Sequence, residues 1–180
     1  ITSTDPIFDT LSTPGLAQMA NAAAGSKTLR KAGEALFGIH QDAPLPTFEA
    51  KALSKRIPAV SGDKGTAPTA TDKTTGKVAI YITCYGDHNE PKMVEDLIAV
   101  LNHNNIATKV LQDAKCCGMP KLELGDLPKV EKMKDANLPV FLQAIADGYD
   151  IIAPIPSCVL MYKQELPLMF PGDQDVATIQ

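Results

Sequence analysis

The sequence holds no tryptophan, and its aromatic residues make up only 5%. Such scarcity argues against a stacking platform for single-stranded nucleic acid and against a carbohydrate cleft. Basic runs are missing as well: 17 Lys and Arg are dispersed among 21 Asp and Glu, giving a formal net charge of −4. No nucleic-acid partner is therefore expected. No apolar stretch reaches the ~18 residues of a membrane span, and no basic, apolar leader of the secretory type is visible. The chain begins at Ile1 rather than Met, so it reads as a piece of a longer protein.

Cysteine is equally sparse, with four in 180 residues. Two of the four are adjacent, in Cys116-Cys117-Gly118, and Cys84 and Cys158 flank them at long range. A vicinal pair makes a poor structural disulfide, because its Cα atoms lie about 3.8 Å apart, below the usual span of about 4.4–6.8 Å. The usage is that of a reducing, cytoplasmic compartment. Adjacent thiols followed by glycine point to ligation of a soft metal.

Residues 1–57 read as an α-rich segment with too little periodic apolar surface to stand alone. Leu29, Ala32, Leu36 and Phe37 share helical spacing, Gly38 is placed as a stop, and Pro44 and Pro46 extend the following stretch. Residues 58–77, without aromatics and with several Gly, Pro and Thr, read as a linker. From residue 78 strands and helices alternate. Val78 to Ile82, Ile106 to Leu111 and Asp150 to Pro154 are strand candidates. Pro91 opens a helix with Val94, Leu97, Ile98 and Leu101 on one face. Asp126 is placed as an N-cap, and Pro139 is expected to kink or split the helix that follows. Cys158 begins a further helical run. The β-α-β-α-β order predicts an α/β fold with a parallel sheet over residues 78–180 and a helical connector before it.

In that topology Cys84, Cys116, Cys117 and Cys158 all follow strand ends. They therefore gather at the carboxyl edge, where α/β folds place ligands. Four thiolates suit zinc or an iron–sulfur cluster. Gly118 allows the tight turn between them. No residue is expected to act as a catalytic group.

The residues from Cys84 through Asn89-Glu90-Pro91, then Cys116-Cys117-Gly118-Met119-Pro120 with Gly125-Asp126, then Pro156-Ser157-Cys158 and Lys163-Gln164-Glu165, resemble the cysteine-rich CCG domain. That domain occurs in heterodisulfide reductase and in the iron–sulfur subunit of anaerobic glycerol-3-phosphate dehydrogenase. Gly38-Ile39-His40 and Ala43-Pro44-Leu45-Pro46 resemble the connector before it. The resemblance implies an electron-transfer subunit of an anaerobic respiratory complex. Its cluster, a [4Fe–4S] centre or with less support a zinc ion, would be held by Cys84, Cys116, Cys117 and Cys158. The implied partners are a flavoprotein dehydrogenase subunit and a quinone or membrane-anchored acceptor, reached from the inner face of the cytoplasmic membrane. Disulfide reduction at the cluster and a zinc-stabilised interaction domain are the alternatives. The family's closing C-x-x-C is incomplete here, because Ile155 occupies its first position.

Other polar residues carry plainer expectations. Lys115 and Lys121 are read as solvated, His88 as a loop or capping residue, His103 as solvated at the end of a polar helix, and His40 as a connector residue with no visible partner. Met119 and Met161 are read as packing. No G-x-G-x-x-G fingerprint is present, so nothing in the sequence supports nucleotide binding.

Overall fold

The computed structural model describes residues 9–58, 60–61 and 74–180. After helical residues 9–11 come two helices, α1 (Leu16–Gly25) and α2 (Lys27–Phe37). Their local chemistry sets their limits. The Gln18 side chain accepts the Gly15 N–H, Ser26 caps α2 through Leu29 N–H, and Gly38 ends it in the left-handed region at φ 68°. Helix α2 buries none of its residues, and Leu36 and Phe37 are 75% and 76% exposed. Helix α2 thus adds nothing to the core, whereas Ala17, Ala52 and Leu53 of the same segment are buried.

Beyond a 3-10 turn at Leu53–Lys55, the chain adds β1 (Val60–Ser61), which pairs antiparallel with β3 (Ala107–Val110). This short edge strand falls inside the stretch expected to be linker; residue 59 and residues 62–73 of that stretch lie outside the described residues. The three strands anticipated from apolar runs are present and parallel. Central β2 (Lys77–Ile80) pairs with β3 from Lys77↔Ala107 to Ile80↔Val110, and with β4 (Asp150–Ile152) from Val78↔Asp150 to Ile80↔Ile152. The sheet order is β1-β3-β2-β4.

Between the strands run α3 (Thr83–His88), α4 (Pro91–His103), α5 (Met119–Leu122) and α6 (Leu127–Ala146). After β4 come α7 (Pro156–Leu160), a π-helical turn at Met161–Glu165, α8 (Leu166–Met169) and α9 (Gln174–Thr178). Each face of β2 is covered, which is why its sequence is apolar without alternation. On one face Ile80 packs with Ile82, Val94, Val110 and Leu53. On the other, Ala79 and Tyr81 pack with Val130, Leu138, Phe141, Met161 and Leu166.

Helix α6 is not split at Pro139 but continues through it from Leu127 to Ala146. Burial of Leu138, Phe141 and Ala144 against the sheet offsets the hydrogen bond that proline cannot make. Asp126 stands at the N-cap position, but its carboxylate pairs with Lys129 Nζ at 2.7 Å instead of capping the backbone.

Candidate metal centre

All four cysteines lie just beyond the carboxyl ends of β2, β3 and β4. Cys84 is the second residue of α3, Cys116 and Cys117 precede α5, and Cys158 lies in the first turn of α7. Because β2 lies between β3 and β4, the chain leaves it first to one side and then to the other, which opens a crevice at those ends. The thiols meet there in two pairs: Cys84 Sγ lies 3.8 Å from Cys116 Sγ, and Cys117 Sγ lies 3.3 Å from Cys158 Sγ. Cys117 also hydrogen-bonds to Cys116, which joins the pairs. Cys116, Cys117 and Cys158 are buried, whereas Cys84 is half-buried.

The vicinal loop is held by a side chain that the sequence did not single out. Asn137, fully buried on α6, accepts Lys115 N–H at 2.6 Å. Its amide donates to the carbonyls of Lys115 and Cys116, at 3.3 and 3.0 Å, and to the Tyr162 hydroxyl at 2.8 Å. Tyr81 adds a 2.6 Å bond from its hydroxyl to Lys115 O. Gly118 turns the chain at φ 92°, and its carbonyl accepts the N–H groups of Lys121 and Leu122. Below the loop Tyr81, Phe141 and Tyr162 pack edge to face, with ring centroids 4.9–5.8 Å apart.

Around Cys84 the chain is less relaxed. Thr83 adopts φ 63°, an unusual conformation for a β-branched residue. A Cβ at Gly86 would come within 2.8 Å of the Val94 side chain, so α3 and α4 are in close contact there.

These contacts separate the thiols electrostatically. Hydrogen bonds to Cys116 and Cys158, with burial behind them, push the Cys117 thiol far up. The hydrogen bond received from Cys117 pulls Cys158 down, aided by the Ser157 side chain. Burial raises both Tyr81 and Tyr162, and the neighbouring cysteines add to it. Negative charge in the buried group is therefore best placed on Cys158.

Two positively ionisable residues depart from their sequence reading. Lys121 is only 3% exposed rather than solvated, because α5 folds it back against the protein. His88 is a buried partner rather than a loop residue. Its Nδ1 shares a 2.9 Å hydrogen bond with Ser12 Oγ, and its Nε2 lies 3.7 Å from both Asp9 and Asp87. Burial lowers its pKa more than the two carboxylates raise it. A cavity of about 300 Å³ opens beside the thiols, lined among others by Cys84, Cys116, His88, Gln112, Ser54 and Lys55.

The donor set is all sulfur and suits a thiolate-bound metal group. Among the described residues no three His, Cys, Asp or Glu side chains are already gathered around a single metal position. Zinc–thiolate bonds of about 2.3 Å would set sulfurs about 3.8 Å apart around one tetrahedron. The Cys84–Cys116 pair matches such an edge, but Cys117–Cys158 is tighter. Among the described residues, no helix is long and apolar enough to cross a membrane.

Comparison with known proteins places this geometry. The chain is 25% identical over 162 residues to one subunit of the anaerobic glycerol-3-phosphate dehydrogenase of Escherichia coli K12, covering 89% of this chain and 39% of that protein. The corresponding protein of Escherichia coli O157:H7 matches equally. Lactate utilization protein A 1 of Bacillus mycoides is 27% identical over 99 residues, covering 55% of this chain and 39% of its own length. The chain thus spans about two-fifths of the length of these relatives. No solved structure matches it significantly. The family profile of the cysteine-rich CCG domain matches residues 78–163, the segment that carries all four cysteines and nearly all of the three parallel strands.

Proposed function

We propose that the chain is part of an iron–sulfur subunit of a dehydrogenase, with Cys84, Cys116, Cys117 and Cys158 as cluster ligands. One observation carries the reading: four thiols from three strand ends meet at a single, mostly buried edge. Similarity to a protein of the anaerobic glycerol-3-phosphate dehydrogenase supports it. Likeness to the cysteine-rich CCG domain and to a dehydrogenase subunit favours an iron–sulfur centre, read here as [4Fe–4S], with zinc as the alternative occupant.

A bound cluster supplies one-electron oxidation and reduction. The chain's residues supply its setting. Asn137 and Gly118 fix the adjacent thiols, the Tyr81–Phe141–Tyr162 group keeps water from the buried side, and Ser157 favours charge on Cys158. The sheet domain, residues 78–180, holds the centre, and residues 1–57 and 58–77 act as connector and linker. In this reading electrons enter from a flavoprotein dehydrogenase subunit and leave to a quinone or membrane-anchored acceptor at the inner face of the cytoplasmic membrane.

Anaerobic purification with iron and acid-labile sulfide analysis tests the proposal. Iron and sulfide together, with a visible chromophore that titrates as a one-electron couple, are expected. Zinc without sulfide overturns it. A second reading, reduction of a small disulfide at the same centre, is favoured by the cavity that reaches Cys84 and Cys116. Turnover of a disulfide with a reduced dye, lost in Cys116→Ser, would establish it over simple relay.

A further inference from the structure

Residues 87–89, at the end of the helix that carries Cys84, are gripped from outside by the connector. Ser54 donates twice to Asp87, from its backbone N–H to Oδ1 at 2.6 Å and from its hydroxyl to Oδ2 at 2.9 Å. The His88 carbonyl accepts Glu49 N–H at 2.8 Å, and its ring shares a bond with Ser12. The Asn89 amide donates to Thr47 O at 2.6 Å. Gln112, just past β3, ties the connector from a second side by donating to the carbonyls of Ser54 and Ile57.

At the opposite end of the same short helix Thr83 holds its left-handed conformation. A β-branched residue stays there only when its surroundings leave it no alternative. Helix α3 has six residues, far too few to be stable by itself. Cys84 thus rides on an element that is strained at one end and held at the other by residues distant in the chain. Cys117 and Cys158 sit within the core packed around α6 and the sheet, and Cys116 is buried beside them with its carbonyl held by Asn137. The connector also supplies Ser54 and Lys55 to the cavity that Cys84 and Cys116 line.

We propose that the connector is a working part of the metal centre. Through Ser54 and Asp87 it holds α3 so that Cys84 meets Cys116, which makes Cys84 the conditional ligand of the four and Asp87 its positioning residue. This rests on the reading of the four cysteines as ligands of one centre. Three ligands are built in by the core, and the fourth is presented by the connector. Whatever moves the connector, such as a protein docking on its exposed helices, would then act on one ligand alone.

Native-state alkylation of the reduced, metal-free chain with iodoacetamide, quantified at each cysteine by peptide mass spectrometry, tests the clamp. Asp87→Ala is expected to raise the Cys84 rate about tenfold, as loss of two hydrogen bonds to a charged group allows local opening. The other three rates should change less than twofold. Ser54→Ala, which keeps the backbone donor, should give a smaller rise at Cys84 alone, and Asp87→Asn should restore a rate near that of the unaltered chain. In the reconstituted chain, iron loss to a chelator should quicken in the same order. Acceleration at all four thiols alike marks general loosening and overturns the proposal, as does an unchanged Cys84 rate. An unaltered chain that takes up no iron instead defeats the metal reading, while the alkylation pattern still judges the clamp.

Discussion

Two halves of one thiol group are built by different means. Cys116, Cys117 and Cys158 are buried in the apolar core between the sheet and α6, with Asn137 bonded to the backbone on both sides of the Lys115–Cys116 peptide. Cys84 is half-buried on a six-residue helix whose hold comes from connector residues 12 and 47–54. The first half is fixed by close packing, which tolerates little displacement. The second is held by hydrogen bonds to a segment that buries few residues besides Leu53, and by the contact of Gly86 with Val94. A short, half-exposed element of this kind opens at lower cost. A single site can thus contain both a rigid seat and an adjustable ligand.

The largest contrast should come from removing a sulfur on each side. Cys117→Ser is expected to abolish metal uptake, because Cys117 is buried in the rigid half and bonds to thiols of both pairs. Cys84→Ser should leave measurable uptake, read as iron per chain after anaerobic reconstitution. Equal losses would erase the distinction.

Next in size is Asn137→Leu. It strands Lys115 N–H and the Cys116 carbonyl and takes one of two partners from the Tyr162 hydroxyl. Buried polar groups left unpaired cost about 1–3 kcal/mol each, so a loss of about 3 kcal/mol is expected in urea unfolding.

How much of this was legible in the sequence follows from residues of this kind. The apolar runs around Val78, Ile106 and Asp150 marked the three parallel strands, and with them the edge where Cys84, Cys116, Cys117 and Cys158 gather. Gly118 was read correctly, since only its backbone freedom was at issue. Asn137 gave one faint signal: it shares helical spacing with Phe141 and Ala144, so a polar residue stood on an apolar face. The grip of Ser54 on Asp87, the conformation of Thr83 and the burial of Lys121 left none, because each is set by parts of the chain brought together only on folding. That the helix would not split at Pro139 was hidden for the same reason, as packing outweighed the local preference.

A smaller effect separates the halves from the other side. Gly86→Ala places a methyl group 2.8 Å from the Val94 side chain. Overpacking of this kind costs about 1–3 kcal/mol, and it should speed alkylation of Cys84 without exposing Cys117 or Cys158. The smallest prediction concerns pH. Burial lowers the His88 pKa below its ordinary value, so folding favours the neutral ring. That contribution is complete above the unfolded pKa of about 6.5 and fades as pH falls through the lower folded value. Between pH 7.5 and 5, unaltered chain should therefore lose more urea resistance than His88→Gln, and equal losses would deny His88 this role.

The most direct test is a crystal structure of the anaerobically reconstituted chain with anomalous scattering recorded at the iron edge. One compact iron centre bonded by the sulfurs of Cys84, Cys116, Cys117 and Cys158 is the expected result. Iron absent from this edge, or held while Cys84 or Cys158 points away from it, would contradict the account.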